Sequence, residues 1–103
     1  MNKSPEYLAA EQIVESLISS GQAKIRKNAI LFLKEDKIPF AGINKAGVWM
    51  CVSKIKEGKH AGKNWYSYMS SIEEEKFSLD KMRYSERCDL AKEIVWKYVA
   101  PLN

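Results

Sequence analysis

The sequence predicts an α+β fold: an N-terminal helix, an antiparallel sheet of three to four strands, and a C-terminal helix packed on the sheet. Three observations carry this. A stripe of apolar residues at helical spacing lies between Pro5 and Ser19, and a second ends near Val99. Between them, Ala29 to Ser71 alternates β-branched and aromatic runs with short turns rich in charge or glycine. At 103 residues the chain has room for one domain, residues 1–103, which can bury a usable core without metal or crosslinks.

Ser4-Pro5-Glu6 is a helix start: serine caps open amides, proline fits the first helical position, and glutamate suits the positive end of the helix dipole. Leu8, Ile13, Val14, Leu17 and Ile18, with Ala10 and Tyr7, follow at helical spacing and leave Glu6, Glu11, Glu15 and Ser16 outside. Gly21 supplies the left-handed stop, so the helix is expected over Pro5 to Ser19.

Residues 22–34 leave two readings open. Gln22 to Asn28 either extends the first strand, Ala29 to Leu33, or leads into a helix in which Ile25, Ala29, Ile30, Phe32 and Leu33 share one face. The helical reading makes the fold winged-helix-like, a duplex-DNA binder with Lys24, Arg26 and Lys27 near the groove. A charged turn at Lys34 to Lys37 precedes a strand from Ile38 to Ile43, where Pro39 marks an edge strand or a strand start because it cannot donate to the ladder. After a turn at Asn44 to Gly47, the run Val48 to Ile55 is apolar on both alternating sets near its start and is expected to be central. Trp65 to Met69 reads as a further strand, with Trp65 and Met69 on one face. Ser71 and Glu74 stand at capping-box spacing and open a short acidic helical turn. The last helix is expected from Asp80 or Ser85 to Val99, burying Tyr84, Cys88, Ala91, Ile94, Val95, Tyr98 and Val99. Trp96 falls off that stripe, either as an anchor for a partner or as a cap on the core edge.

The net charge of +4 hides an asymmetry. Ala23 to Lys63 holds ten Lys and Arg against three Asp and Glu, whereas the flanking segments are net acidic. A one-sided field of this kind attracts polyanions or acidic protein surfaces, although a lysine-rich surface also serves solubility alone. The loop Lys56 to Asn64 concentrates the pattern, with two glycines among Lys56, Lys59, His60 and Lys63. It is not a phosphate-binding P-loop: three residues separate Gly58 from Gly62, and Asn64 stands where serine or threonine is needed.

Cys51 and Cys88 are expected as buried thiols, since both fall on apolar positions and no secretion signal precedes them. One histidine and two separated cysteines do not make the usual four-ligand zinc site, so neither metal nor cofactor is expected. His60, on a loop, has no rigid partner to orient it as a base, and the carboxylates are not clustered at strand ends. No apolar run is long enough to span a bilayer and Met1 to Tyr7 is polar, which points to a cytoplasmic protein without a membrane partner.

A small, basic, non-enzymatic binding module is therefore the expectation. In one form it contacts nucleic acid or a nucleoprotein, with Arg26, Lys27, Lys54, Lys56, Lys59, His60 and Lys63 on phosphates and Tyr66 or Tyr68 stacked on bases. In the other it is an inhibitor or adaptor of the immunity or phage anti-defence type, docking on an acidic protein surface and using Trp96 as an anchor. An edge strand near Pro39, or Trp96 itself, offers a route to a homodimer.

Overall fold

The structure, a computed structural model, describes residues 3–52 and 82–103. The loop Lys56 to Asn64, the run Trp65 to Met69 and the acidic turn at Ser71 lie outside the described residues.

Helix α1 spans Pro5–Ser19, as the capping signals imply. The Ser4 hydroxyl accepts the Tyr7 amide at 3.1 Å. At the other end Gly21 takes φ +80°. Its amide donates to the Ile18 carbonyl and that of Gln22 to the Leu17 carbonyl, so two carbonyls at the helix end are satisfied.

Four antiparallel strands follow as a meander: β1 (Ala23–Ile25), β2 (Ala29–Leu33), β3 (Pro39–Asn44) and β4 (Trp49–Cys51). Residues 22–34 thus form a strand pair, with Ile25 opposite Ile30 and Ala23 opposite Phe32, and the winged-helix alternative falls. The register puts Ala23, Ile25, Ile30, Phe32, Ala41, Ile43 and Trp49 on one face. That face is the core side, where Ile30, Phe32, Ala41 and Ile43 are buried with α1 and the C-terminal helix. The opposite face carries a cross-strand row of Lys24, Leu31, Gly42 and Met50. A Cβ on Gly42 would come within 3.0 Å of Leu31 Cδ2 and 3.1 Å of Met50 Cε, so the glycine lets those two side chains close over the strand between them.

The sheet decides between the two readings of Pro39. Pro39 opens β3, and β3 lies between β2 and β4, so proline here marks a strand start and gives no edge for self-pairing. The run from Val48 supplies β4, which ends the described sheet, while β2 and β3 are central. Val48 and Val52 are 54% and 45% exposed, so apolar character on both alternating sets does not reflect burial on both faces.

Helix α2 covers Tyr84–Ile94 and continues without a break into a π-helical turn, Val95–Val99, and a short 3₁₀ turn, Ala100–Leu102. The wide turn is seen in the Ala100 amide, which reaches back five residues to the Val95 carbonyl. Contacts between the helices advance together along both: Ser4 with Glu86, Tyr7 with Glu93, Glu15 with Lys97 and Tyr98. The two helices therefore run parallel on one side of the sheet.

Each helix buries a slightly different stripe from the expected one. Tyr7, Ala10, Val14 and Leu17 face the core, and Leu8, about 100° further round, is left outside. In α2 the buried set is Leu90, Ala91 and Ile94, and Tyr84 at the first position is 79% exposed. Cys51 is exposed and Cys88 half-buried, against the expectation of two buried thiols. Cys51 shares the core side by register, opposite Ala41, but sits on the outermost described strand.

Candidate anion-binding end of the sheet

In a meander, alternate turns share an end, so the β1–β2 and β3–β4 turns belong together. The Arg26 amide donates to the Ala29 carbonyl at 2.8 Å and folds the chain back over Lys27 and Asn28. In the β3–β4 turn Asn44 acts as the organiser: its Oδ1 accepts the amides of Ala46 at 2.9 Å and Val48 at 3.1 Å. Gly47, at φ +77°, closes that turn by donating to the Asn44 carbonyl at 2.9 Å. Lys45 is thereby held at the tip. Its own amide donates to the Asn28 carbonyl at 2.9 Å, tying the two turns to each other.

Arg26, Lys27 and Lys45 are consequently brought to one end of the sheet, all exposed. Among the described residues no carboxylate forms an ion pair with any of them. The other end differs. There Lys34 and Lys37 share the β2–β3 turn with Glu35 and Asp36, and Lys34 Nζ lies 3.4 Å from Asp36. The Ile38 amide, with Lys34, holds the Asp36 carboxyl below its ordinary pKa, so this end is locally neutralised.

Two cations at the helix seam are also occupied. Lys3 bridges Glu11 at 2.8 Å and Glu93 at 3.2 Å, and Lys97 pairs with Glu15 at 2.9 Å. Tyr7 donates its hydroxyl to Glu93 and Tyr98 donates to Glu15. Lys3, Glu11, Glu15, Glu93 and Lys97 line an open polar groove of about 720 Å³ along the seam between the helices. Its carboxylates are matched by its own donors, which makes the groove a piece of helix–helix packing.

The seam has a definite pH signature. Burial, helped by the Glu93 carboxylate, raises the Tyr7 pKa well above 10.0, so the stabilisation from this hydroxyl is complete below pH 10 and is lost as the pH rises through the folded value. For Glu93 burial is the largest single influence and acts upward, but the hydrogen bonds from Tyr7 and Lys3 together hold its carboxyl below 4.5. Its contribution is present above pH 4.5 and lost as the pH falls through the lower folded value. Tyr7→Phe is expected to cost about 1–2 kcal/mol at neutral pH. In thermal melts across pH, the gap between wild type and variant should hold up to about pH 10 and shrink above it. A gap that widens with alkalinity would show that the hydroxyl is not held as a donor.

Of the residues singled out in the sequence, Arg26 and Lys27 sit together on the β1–β2 turn, and Trp96, on the π-helical turn, is 79% exposed. Lys54, Lys56, Lys59, His60, Lys63, Tyr66 and Tyr68 lie outside the described residues. Lys45 joins the site although sequence reasoning passed over it. The signal that could have found it was the alternation of turns in a four-stranded meander, which places the first and third turns side by side.

No known protein family, curated protein or solved structure matches the chain. The fold and site define a small α+β domain with an antiparallel meander, a parallel helix pair on one side, and a cationic end where two turns meet. Among the described residues, no helix is long and apolar enough to cross a membrane.

Proposed function

We propose that this protein is a non-enzymatic binding module that contacts nucleic acid through the cationic end of its sheet. The observation that carries this reading is the Lys45 amide bond to the Asn28 carbonyl, which joins two turns and presents Arg26, Lys27 and Lys45 as a group. Short hairpin turns fix backbone positions, so the three charges are presented without the ordering cost of a long loop. Phosphates spaced along a strand are a natural complement to cations so arranged.

The test is a titration of labelled DNA and RNA by fluorescence anisotropy at several salt concentrations. Three phosphate contacts predict a slope of log K against log salt of about −2 to −3. The variant Arg26→Glu, Lys27→Glu, Lys45→Glu is expected to lose binding at near-physiological salt. An unchanged affinity and slope in that variant would remove this end of the sheet from the binding surface.

A second reading, a small inhibitor or adaptor that blocks a partner protein, is favoured by Trp96, because a tryptophan 79% exposed on a helix suits an interface anchor. Capture of an acidic partner that depends on Trp96 and not on the turn cations would support it.

A further inference from the structure

The β3–β4 turn docks on α2 one helical turn before Trp96. Gly47 packs directly on α2, where a Cβ would lie 2.8 Å from Lys92 Cγ and 3.2 Å from Lys92 Cα. Two residues on, the Trp49 indole Nε1–H donates to the Arg87 carbonyl at 2.8 Å. Moving from Gly47 to Trp49 therefore means moving back along α2 from Lys92 to Arg87. The reverse direction, continued from Gly47 to the tip residues Lys45 and Ala46, leads away from Arg87 and toward the helical turn that carries Trp96. Lys92 and Trp96 are four residues apart and share one face, and helical side chains lean toward the helix N-terminus, which brings the indole back over the Lys92 turn.

Resting on the nucleic-acid reading above, we propose that the ligand is a single-stranded nucleic acid, with one unpaired base stacked on Trp96 and neighbouring phosphates held by Lys92, Lys45, Arg26 and Lys27. An exposed indole beside exposed cations offers the two contacts a single strand needs: a flat apolar face for a base and charge for the backbone. A base in a duplex is already stacked on both sides and gains nothing from the ring. Of the carboxylates on α2, Glu93 is engaged by Lys3 and Tyr7, and Asp89 is seven residues, about two turns, from Trp96.

The experiment compares wild type, Trp96→Ala, Trp96→Phe and Lys45→Glu against labelled oligo-dT, oligo-U and a duplex of equal length. Urea midpoints serve as a check on folding, which an exposed side chain should leave nearly unchanged. Trp96→Ala is expected to weaken single-strand binding by about 5- to 150-fold, the range for loss of one base–aromatic stack, and to leave duplex binding unchanged. Trp96→Phe, which keeps a ring, should retain most of the affinity, and Lys45→Glu should weaken both ligands and flatten the salt dependence. Wild-type single-strand affinity in Trp96→Ala would overturn the stacking assignment while leaving the cationic turns in place, and would return Trp96 to the role of a protein anchor. Equal losses on single strand and duplex would overturn it too. If wild type binds none of the three probes, the nucleic-acid reading itself fails.

Discussion

Phe32→Ala is expected to cost about 3–5 kcal/mol, the range for removing a fully buried aromatic ring. Phe32 has no exposed surface and occupies the centre of the core face of the sheet. Its cross-strand neighbours are Ala23 on β1 and Ala41 on β3, so the ring fills space that two small residues leave on either side. The Trp49 ring lies 5.9 Å away, tilted by 34°, and joins the outer strand to the same cluster. Truncation would leave three alanines in a row, with rigid strands unable to collapse onto the void. Domains of this size have only about 5–15 kcal/mol of stability, so the variant should sit near the limit of folding. Urea unfolding followed by tryptophan fluorescence gives the measurement. A cost below about 1 kcal/mol would mean that the neighbouring groups relax into the site, against the close packing argued from the register. Adding Ala41→Phe to Phe32→Ala offers a further check: it restores a ring one strand over in the same row, and partial recovery is expected if volume is what the row requires.

How much of this molecule can be read from its sequence follows from how local each determinant is. The limits of α1 were legible because Ser4, Pro5 and Gly21 act within one helical turn of where they stand. Strands β2 and β3 were legible because Asp36, Asn44 and Gly47 build their turns with bonds to residues two to four positions away. By contrast β1 has three residues and one large apolar side chain, and its strand conformation depends on pairing with β2. Composition alone did not place β4. Val48, Trp49 and Met50 look like a strand covered on both faces, but the order of strands is a property of the whole sheet and left this one outermost among those described. The helix seam was hidden for the same reason. Glu11, Glu15 and Glu93 read as solvent-facing acids, and the partners of Glu15 are 82 and 83 residues away in the chain. The candidate site was half legible: its charges were counted correctly, but grouping Lys45 with Arg26 and Lys27 required the Asn28 carbonyl bond.

Gly47→Ala is expected to cost about 2–4 kcal/mol, unusually large for adding one methyl group to a turn. Two separate penalties combine. At φ +77° an alanine is strained wherever it sits, which costs about 1 kcal/mol. The second penalty is steric: the new Cβ would stand 2.8 Å from Lys92 Cγ and 3.2 Å from Lys92 Cα, and crowding against the helix main chain cannot be relieved by a rotamer change. Either the turn lifts away from α2 or the helix shifts, and the Trp49 bond to the Arg87 carbonyl loosens with it. Gly21 provides the control, because it has φ +80° but no atom within 4 Å of its Cβ position. Gly21→Ala should therefore show the conformational penalty alone, and the excess at Gly47 measures how tightly the turn docks on the helix. Combining Gly47→Ala with Lys92→Ala removes the Cγ clash and leaves the crowding against the main chain of residue 92, so the double variant should recover part of the excess and not all of it. If the two glycine substitutions cost the same in urea unfolding, the turn does not press on α2. The tip that carries Lys45 would then lack the fixed bearing toward Trp96 on which the single-strand site depends.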